Sequence, residues 1–590
     1  MELSAIRHIA DKRCCLSVGN NGFLFRIQTK KSDVSEIVLH TLDKYMKPEV
    51  KDTKQAHMMK KIATDRLCDY YETTVYFDYS IRCIRYYFEI TGNDGEKVFI
   101  GSECFSGNEI TDIDRMYNCT CKLREEERID VPDWAAGKVV YQIFPARYAT
   151  TKHVPENVWY KAPIGDKTDL KGDLRGIINT LDHLKELGID ILYLTPIFKS
   201  PSTHKYNTVD YYEISPDLGT KADLKELVEK CHEMGMKVIL DGVFNHTATD
   251  FFAFQDVMKN GSSSRYYDWY YIEKYPINMG SGTKIPGYLT FAYYGGMPKL
   301  NMSNDETAEY FTNVGKYWIE ECDIDGWRLD VGDEISHSFM KKFRKAIRSV
   351  KKDALIVGED WQHGRDYLDG DEWDSIMNYS FWRLVKDYVM DSSITASEAV
   401  EDIGHIRGMF PSQIFNVLWN LIDTHDTPRF LAMCGNDRKK QCFAAAMSLL
   451  LPGMPFIYYG DEYGIGGGND PDNRRGMLWD SKYQDEDTYS LYRKLIAIRK
   501  EYKDIAQGTI TEYRTDDENN IIIYCCGEGD GKVTVILHGK GDRVTLEEFA
   551  GRSNLLSDKI FDGIMEEFSI AVIKSVSYTH LRAHETGRNL

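Results

Sequence analysis

Val139-Val140-Tyr141-Gln142-Ile143-Phe144-Pro145 opens the stretch whose reading decides the fold. A short apolar run stopped by proline reads as a buried strand. Ile177, Ile178, Leu181, Leu184 and Leu187 follow at helical spacing, and Gly188 sits where a helix C-terminus favours glycine. Ile189 to Leu194 is a second strand, halted before Pro196. Thr220 caps the next helix with Asp223 three residues on, and Leu224, Leu227, Val228, Cys231 and Met234 share one face. Gly235 ends that helix, and Lys237 to Leu240 is a third strand. Strands separated by helices must pair in parallel.

Further runs at Gly326–Val331, Leu355–Gly358, Ser375–Asn378, Asn420–Ile422 and Phe456–Tyr458 bring the candidates to eight, enough to close a (β/α)8 TIM barrel. An open doubly wound sheet would gather its polar residues at one switch point. Here they fall at the C-terminal ends of many strands, which favours the barrel. More than 80 residues separate Asp241 from Asp325, too many for one loop and helix. Residues 245–305, rich in Tyr266, Tyr267, Trp269, Tyr270, Tyr271, Phe291, Tyr293 and Tyr294, read as an inserted subdomain over the barrel mouth.

Either side of the barrel the pattern changes to period two. Residues 1–133 predict an N-terminal β-sandwich, with strands at Phe23–Ile27, Thr73–Tyr79 and Ile81–Ile90 and a tight turn at Asn93-Asp94-Gly95. Val131-Pro132-Asp133-Trp134 marks the linker into the 134–504 barrel unit. Residues 505–574 predict a C-terminal β-sandwich, with Ile521–Tyr524 and Val533–Leu537 flanking the turn Gly527-Glu528-Gly529-Asp530-Gly531. Residues 575–590 continue no strand pattern and read as a foreign or disordered tail.

The chain has 590 residues, suggesting three or four units at roughly 100–200 residues each. No apolar run is long enough for a transmembrane helix, and the first residues carry Glu2, Arg7, His8, Asp11 and Lys12 where a secretory signal would be apolar. The cytoplasm is the expected compartment. With 73 basic against 92 acidic residues the net charge is −19, which repels nucleic acid and anionic membranes. Thirteen scattered cysteines without zinc-like spacing predict reduced thiols.

Four segments at strand ends carry the chemistry: Asp241-Gly242-Val243-Phe244-Asn245-His246, Asp325-Gly326-Trp327-Arg328-Leu329-Asp330, Gly358-Glu359-Asp360-Trp361 and Thr424-His425-Asp426. A single aspartate at a strand end is usually a cap or an ion-pair partner. Together the four segments collect carboxylates, two imidazoles and a guanidinium at one mouth, a costly arrangement that chemistry explains better than stability. In this order they resemble the signature regions of the α-amylase family of glycoside hydrolases (family 13). Met297-Pro298-Lys299-Leu300-Asn301 is similar to a segment of the cyclomaltodextrinases, neopullulanases and maltogenic amylases, and the N-terminal sheet looks like that subgroup's extra domain.

The resemblance implies that Asp330 is the nucleophile, Glu359 the general acid/base and Asp426 a third carboxylate gripping sugar hydroxyls. Asp330 must attack as an anion while Glu359 still holds its proton, giving retention through a covalent glycosyl-enzyme. Arg328 would keep Asp330 ionised. His246 and His425 would bind the sugar, Tyr206 would stack on it, Asp210 and Asn245 would support the site, and Trp361 would shape the acceptor side. Glu334 is a further substrate-binding candidate, although Val331-Gly332-Asp333-Glu334 departs from the subgroup's usual Val-Ala-Asn-Glu and leaves subsite preference open. The implied activity is hydrolysis of α-1,4 links in cyclodextrins, maltooligosaccharides and pullulan, with transglycosylation as a side reaction and a homodimer as the assembly. Rival readings are an α-1,6-acting relative, a glucanotransferase and a non-catalytic carbohydrate-binding barrel. No redox cofactor is implied. The subgroup's calcium loop is replaced by Tyr148-Ala149-Thr150-Thr151-Lys152-His153, so Gly172 and Asp173 are the only matching metal candidates, beside a lysine that would repel the ion.

Overall fold

The computed structural model describes residues 1–18, 21–47, 49–120, 128–165, 168–278, 286–508, 510–527, 532–557 and 559–574. The 575–590 tail and most of the Gly527–Gly531 turn lie outside them. Eight parallel strands form one sheet: β1 Val140–Ile143, β2 Ile191–Leu194, β3 Lys237–Gly242, β4 Gly326–Leu329, β5 Leu355–Gly358, β6 Ser375–Ile376, β7 Trp419–Leu421 and β8 Met454–Tyr458. Their order is β6-β5-β4-β3-β2-β1-β8-β7, and a parallel bridge between Met377 and Trp419 closes the ring.

Period-two alternation divides the strand residues. Val140, Ile191, Tyr193, Ile239, Leu355, Val357, Trp419, Leu421, Met454 and Phe456 pack inside the barrel. Their neighbours Tyr141, Leu192, Val238, Leu240, Trp327, Ile356 and Ile457 pack outward among the helices. Both faces are buried, which is why these strands read as unbroken apolar runs. On β4 the inward position after Gly326 is Arg328, a fully buried charge that burial alone would never favour.

The helix expected before β2 is two pieces, Leu174–Ile178 and Leu181–Leu187. Thr180 Oγ1 bonds back to the carbonyls of Gly176 and Ile177, competing with the helical ladder at the break. Gly188 then ends the second piece at φ +92°. The capping box of Thr220 and Asp223 opens Lys221–Glu233 as the sequence predicts. Between β3 and β4 come the helix Phe252–Asn260, several single turns and isolated bridges, before the long helix Asp305–Cys322 returns to the barrel.

The N-terminal unit is two antiparallel sheets facing each other. One orders Cys15–Val18, Gly22–Lys30, Cys68–Tyr76 and Lys60–Thr64; the other is centred on Val34–Asp43 and Cys83–Gly92. Phe23, Phe25, Ile37, Leu39, Tyr86, Phe88 and Ile90 fill the space between. A disulfide joins Cys15 to Cys119 across the two sheets, correcting the expectation of reduced thiols throughout. The signal was hidden because 104 residues separate the partners. The first sheet seats on the helix Ala396–Met409: Arg26 donates to the Gly408 carbonyl, Lys31 pairs with Glu401, Arg66 with Asp402 and Arg407 with Glu72. At the other end a six-stranded antiparallel sheet runs Ile510–Asp516, Ile521–Cys526, Val533–His538, Ser569–Lys574, Ser553–Asn554 and Lys559–Ile560. Ile522, Tyr524, Val535 and Leu537 join the main core, and Ile523, Ile536, Phe549 and Phe561 form a smaller one on the opposite face.

Candidate active site

A cavity of about 490 Å³ opens at the C-terminal ends of the barrel strands. Its lining includes Tyr206, His246, Asp330, Glu334, Glu359, Trp361 and Asp426, seven of the residues singled out from sequence. Arg328 lies beneath them. Its Nη1 donates to Asp330 Oδ1 at 2.9 Å and to both oxygens of Asp241 at 3.0 and 2.9 Å, while Nη2 lies 2.8 Å from Glu359 Oε2. A planar guanidinium is suited to hold carboxylates from β3, β4 and β5 at once.

Glu359 Oε2 also accepts the Val331 N–H at 2.8 Å, whereas among the described residues Oε1 meets only the indole N–H of Trp361 at 3.2 Å. Oε1 is therefore the oxygen free to carry an exchangeable proton. Trp361 stacks on Tyr379 at 4.1 Å and is 41% exposed, leaving a face of the ring toward solvent. Asp426 lies 3.1 Å from His425 Nε2 and 3.6 Å from Arg474 Nη2. Tyr206 donates to Asp241 Oδ2 at 3.0 Å and lies parallel to the His425 ring, 5.4 Å between centroids. The Gln142 amide meets His425 Nδ1 at 2.8 Å.

Burial sets the charge states. It pushes His246 down to about 3 and His425 well below its ordinary value, the latter helped by Arg474 and Arg328, so both rings are neutral hydrogen-bonding groups at working pH. Arg328 is not the only group acting on Asp330. Burial first, then Glu359, Asp241 and Asp426, push Asp330 well above the usual carboxylate range against the pull of Arg328. Burial and Glu359 likewise push Asp426 up to about 7. Its side chain is about one-third exposed, so water relieves part of that push. Asp241, Asp330 and Asp426 are thus each pushed up by burial and act on one another's titration.

The other predicted residues stand further back. Asn245 is buried and takes Lys299 on its Oδ1; Lys299 also reaches Glu334 Oε2 at 2.8 Å. Asp210 lies on the Asp210–Ile214 strand, where its carboxylate accepts the Tyr212 N–H. Gly172 packs against the backbone of Pro145 and Ala146. Asp173 caps the Leu174–Ile178 helix, accepts the Thr151 hydroxyl, and lies 3.8 Å from Lys152 Nζ. Lys152 also donates to the Asp217 carbonyl at 2.7 Å. An ammonium against the one candidate carboxylate does not fit a calcium site.

The lining also holds His204, Asp470 and Arg474, to which sequence reasoning gave no role, and Phe291, Met297 and Asp333, which it named only as parts of the insert and of the subgroup segments. Phe291 stacks on His246 at 5.1 Å, and Arg474 ties Asp426 to Asp470 and to the His425 carbonyl. Arg474 comes from an irregular loop after β8, where no periodicity marks it. Asp241 was visible at a strand end, but only the structure reveals it as the anion shared by Arg328, Tyr193 and Tyr206.

This geometry can be set beside known proteins. Residues 142–507 match the family model described as α-amylase, catalytic domain, and residues 1–121 match the α-amylase N-terminal Ig-like domain. The chain belongs to the α-amylase family. Within that family of glycoside hydrolases its place is the cyclomaltodextrinase, neopullulanase and maltogenic amylase subgroup. It is 39% identical over 542 residues to a cyclomaltodextrinase of Geobacillus thermopakistaniensis (strain MAS1), covering 91% of both chains. It is 37% identical to neopullulanase 2 of Thermoactinomyces vulgaris, covering 92% of each. A solved cyclomaltodextrinase structure superposes with a TM-score of 0.90 at 33% identity, covering 97% of this chain and 100% of that one. The signature segments that gave the resemblance thus lie in an α-amylase catalytic domain, and the extra N-terminal sheet is the family's Ig-like unit.

Proposed function

We propose that this α-amylase family enzyme hydrolyses α-1,4-glucosidic bonds in cyclodextrins and short maltooligosaccharides, and that it accepts pullulan. The names of its relatives support the substrate class. The single observation that carries the chemistry is Arg328 holding Asp330 and Glu359 at the floor of one cavity with Asp426 opposite. Asp330 attacks the anomeric carbon. Glu359 delivers a proton from Oε1 to the leaving oxygen, then takes one from water or an acceptor sugar. Attack requires Asp330 as the anion and a proton held on Glu359. Asp426 and the neutral imidazoles of His246 and His425 bind the sugar hydroxyls, and Tyr206 supplies an aromatic face. Trp361, beside the free oxygen of Glu359, receives the acceptor and favours transglycosylation.

A substrate panel of β-cyclodextrin, pullulan, soluble starch and maltotriose tests this, run beside Asp330→Asn with the product anomer followed by NMR. The parent releases α-anomers, and the variant loses at least about a thousandfold in rate. Equal rates for the two, or β-products, would overturn the assignment.

The N-terminal sandwich supports a homodimer in which it flanks a neighbouring subunit's cavity; light scattering showing a monomer at micromolar concentration would remove that reading. An intracellular setting is supported by a Bacillus subtilis relative named intracellular maltogenic amylase. Among the described residues no helix is long and apolar enough to cross a membrane. Lys152 supports a fold that needs no calcium beside Asp173.

A further inference from the structure

Beneath the loop that carries His425 and Asp426 lies a second pair of carboxyls. Asp423 follows β7 and Asp461 follows β8, and each is 1% exposed. The two carboxyls are neighbours, each acting directly on the other. Among the described residues, Asp423 Oδ1 and Asp461 Oδ2 are buried and meet no donor. Two ionised carboxylates have only acceptors, so these two oxygens can satisfy each other only with one proton between them.

The remaining oxygens are committed. Asp423 Oδ2 accepts the Phe430 N–H at 2.6 Å, and Asp461 Oδ1 accepts Arg429 Nη1 at 2.9 Å. Arg429 is fully buried, lies 3.6 Å from the Tyr458 ring centroid and donates to the carbonyls of Tyr459 and Asn473. Asn473 in turn donates to the carbonyls of His425 and Thr427 at 2.7 and 2.8 Å. The carboxyl pair is thus one support away from the loop that presents Asp426 to the cavity.

We propose that Asp423 and Asp461 share a single proton and that this proton, through Phe430, Arg429 and Asn473, holds the Thr424–Arg429 loop with His425 and Asp426 in working position. They are positioning residues for the reaction proposed above, on which this inference rests. Around the pair stand Arg429, Cys434, Tyr458, Tyr459, Glu462 and Tyr492. Arg429 is the cation in that set, and Glu462 is engaged by Tyr141 and His183. Loss of the shared proton would leave two buried anions on one guanidinium and push the loop open. Burial and Asp423 hold Asp461 well above the usual carboxylate range, with Arg429 opposing. A carboxyl raised in the folded state costs increasing stability as pH climbs from its unfolded value toward its folded one.

The test compares the parent with Asp461→Asn and Asp461→Ala, with Asp423→Asn in reserve should the first amide variant fail to fold. An amide N–H supplies permanently the hydrogen that the proton supplies, so Asp461→Asn keeps kcat on β-cyclodextrin within about threefold at pH 6. Its alkaline limb moves up by about one pH unit or more, and its Tm gains on the parent's by several degrees between pH 5 and pH 9. Asp461→Ala has no bridge and loses at least about tenfold in kcat. An amide variant as impaired as the alanine variant, or a Tm difference that stays flat with pH, overturns the proposal. The melting comparison uses no substrate, so its failure is distinct from an error in the proposed substrate or nucleophile.

Discussion

Replacing Arg328 by methionine removes the one guanidinium that touches Asp241, Asp330 and Glu359, at 2.8–3.0 Å, in a fully buried position. Left ionised, those carboxylates would cost about 3–5 kcal/mol of stability, the usual result of breaking a buried pair. They have a cheaper course, which is to take up protons. An opposite charge in contact lowers a carboxyl by about 1–3 pH units, so its loss raises the set by as much, or about 1.4–4 kcal/mol. The destabilisation is capped at that figure. The catalytic effect has the same sign: the ionised fraction of Asp330 at pH 6 falls, by at most about ten- to a thousandfold, and kcat/KM falls with it. Raising the pH restores the anion, so the acid limb of kcat/KM moves upward by the same ~1–3 units. Initial rates on β-cyclodextrin from pH 4.5 to 9, with circular dichroism to verify folding, measure it. An acid limb that stays where the parent's lies would refute the reasoning, as would a rate at pH 6 within threefold of the parent's.

Other outcomes follow from sites further out. With Lys152 beside Asp173, EDTA should leave Tm and rate unchanged, whereas Lys152→Ala should lower Tm; a chelator-induced loss of several degrees would show a cation we have not placed. Cys15→Ser should destabilise the N-terminal sandwich by up to about 4–5 kcal/mol, since the bond closes a loop of 104 residues. Denaturant melting with and without reductant checks this: the parent should respond to reductant and the variant should not.

The barrel was legible because its strands are buried on both faces and punctuated by Pro145, Gly188, Pro196 and Gly235. The carboxylates were legible because each sits where a strand ends, a place with no stabilising use for Asp330 and Glu359 together. What stayed hidden depends on contacts distant in sequence. Arg474 reaches Asp426 from an irregular loop, Cys15 meets Cys119 across two sheets, and Thr180 breaks a helix through a bond that propensity does not show. The distribution of protons was illegible for the same reason. Arg328 is two residues from Asp330 and could be paired with it on paper, but the opposing effect of Asp241, Glu359 and Asp426 exists only once three other strands converge.

The seam between the N-terminal sheet and the barrel has a practical consequence. A methyl group at Gly404 would lie 1.9 Å from the Thr64 carbonyl oxygen, so the two backbones meet there with nothing between them. A shortened enzyme beginning at the barrel would strip Glu72 from Arg407 and Ser412 and uncover the groove cut for the sheet. Anyone seeking a minimal catalyst from this scaffold would have to rebuild the outer surface of that helix rather than simply delete what leans on it.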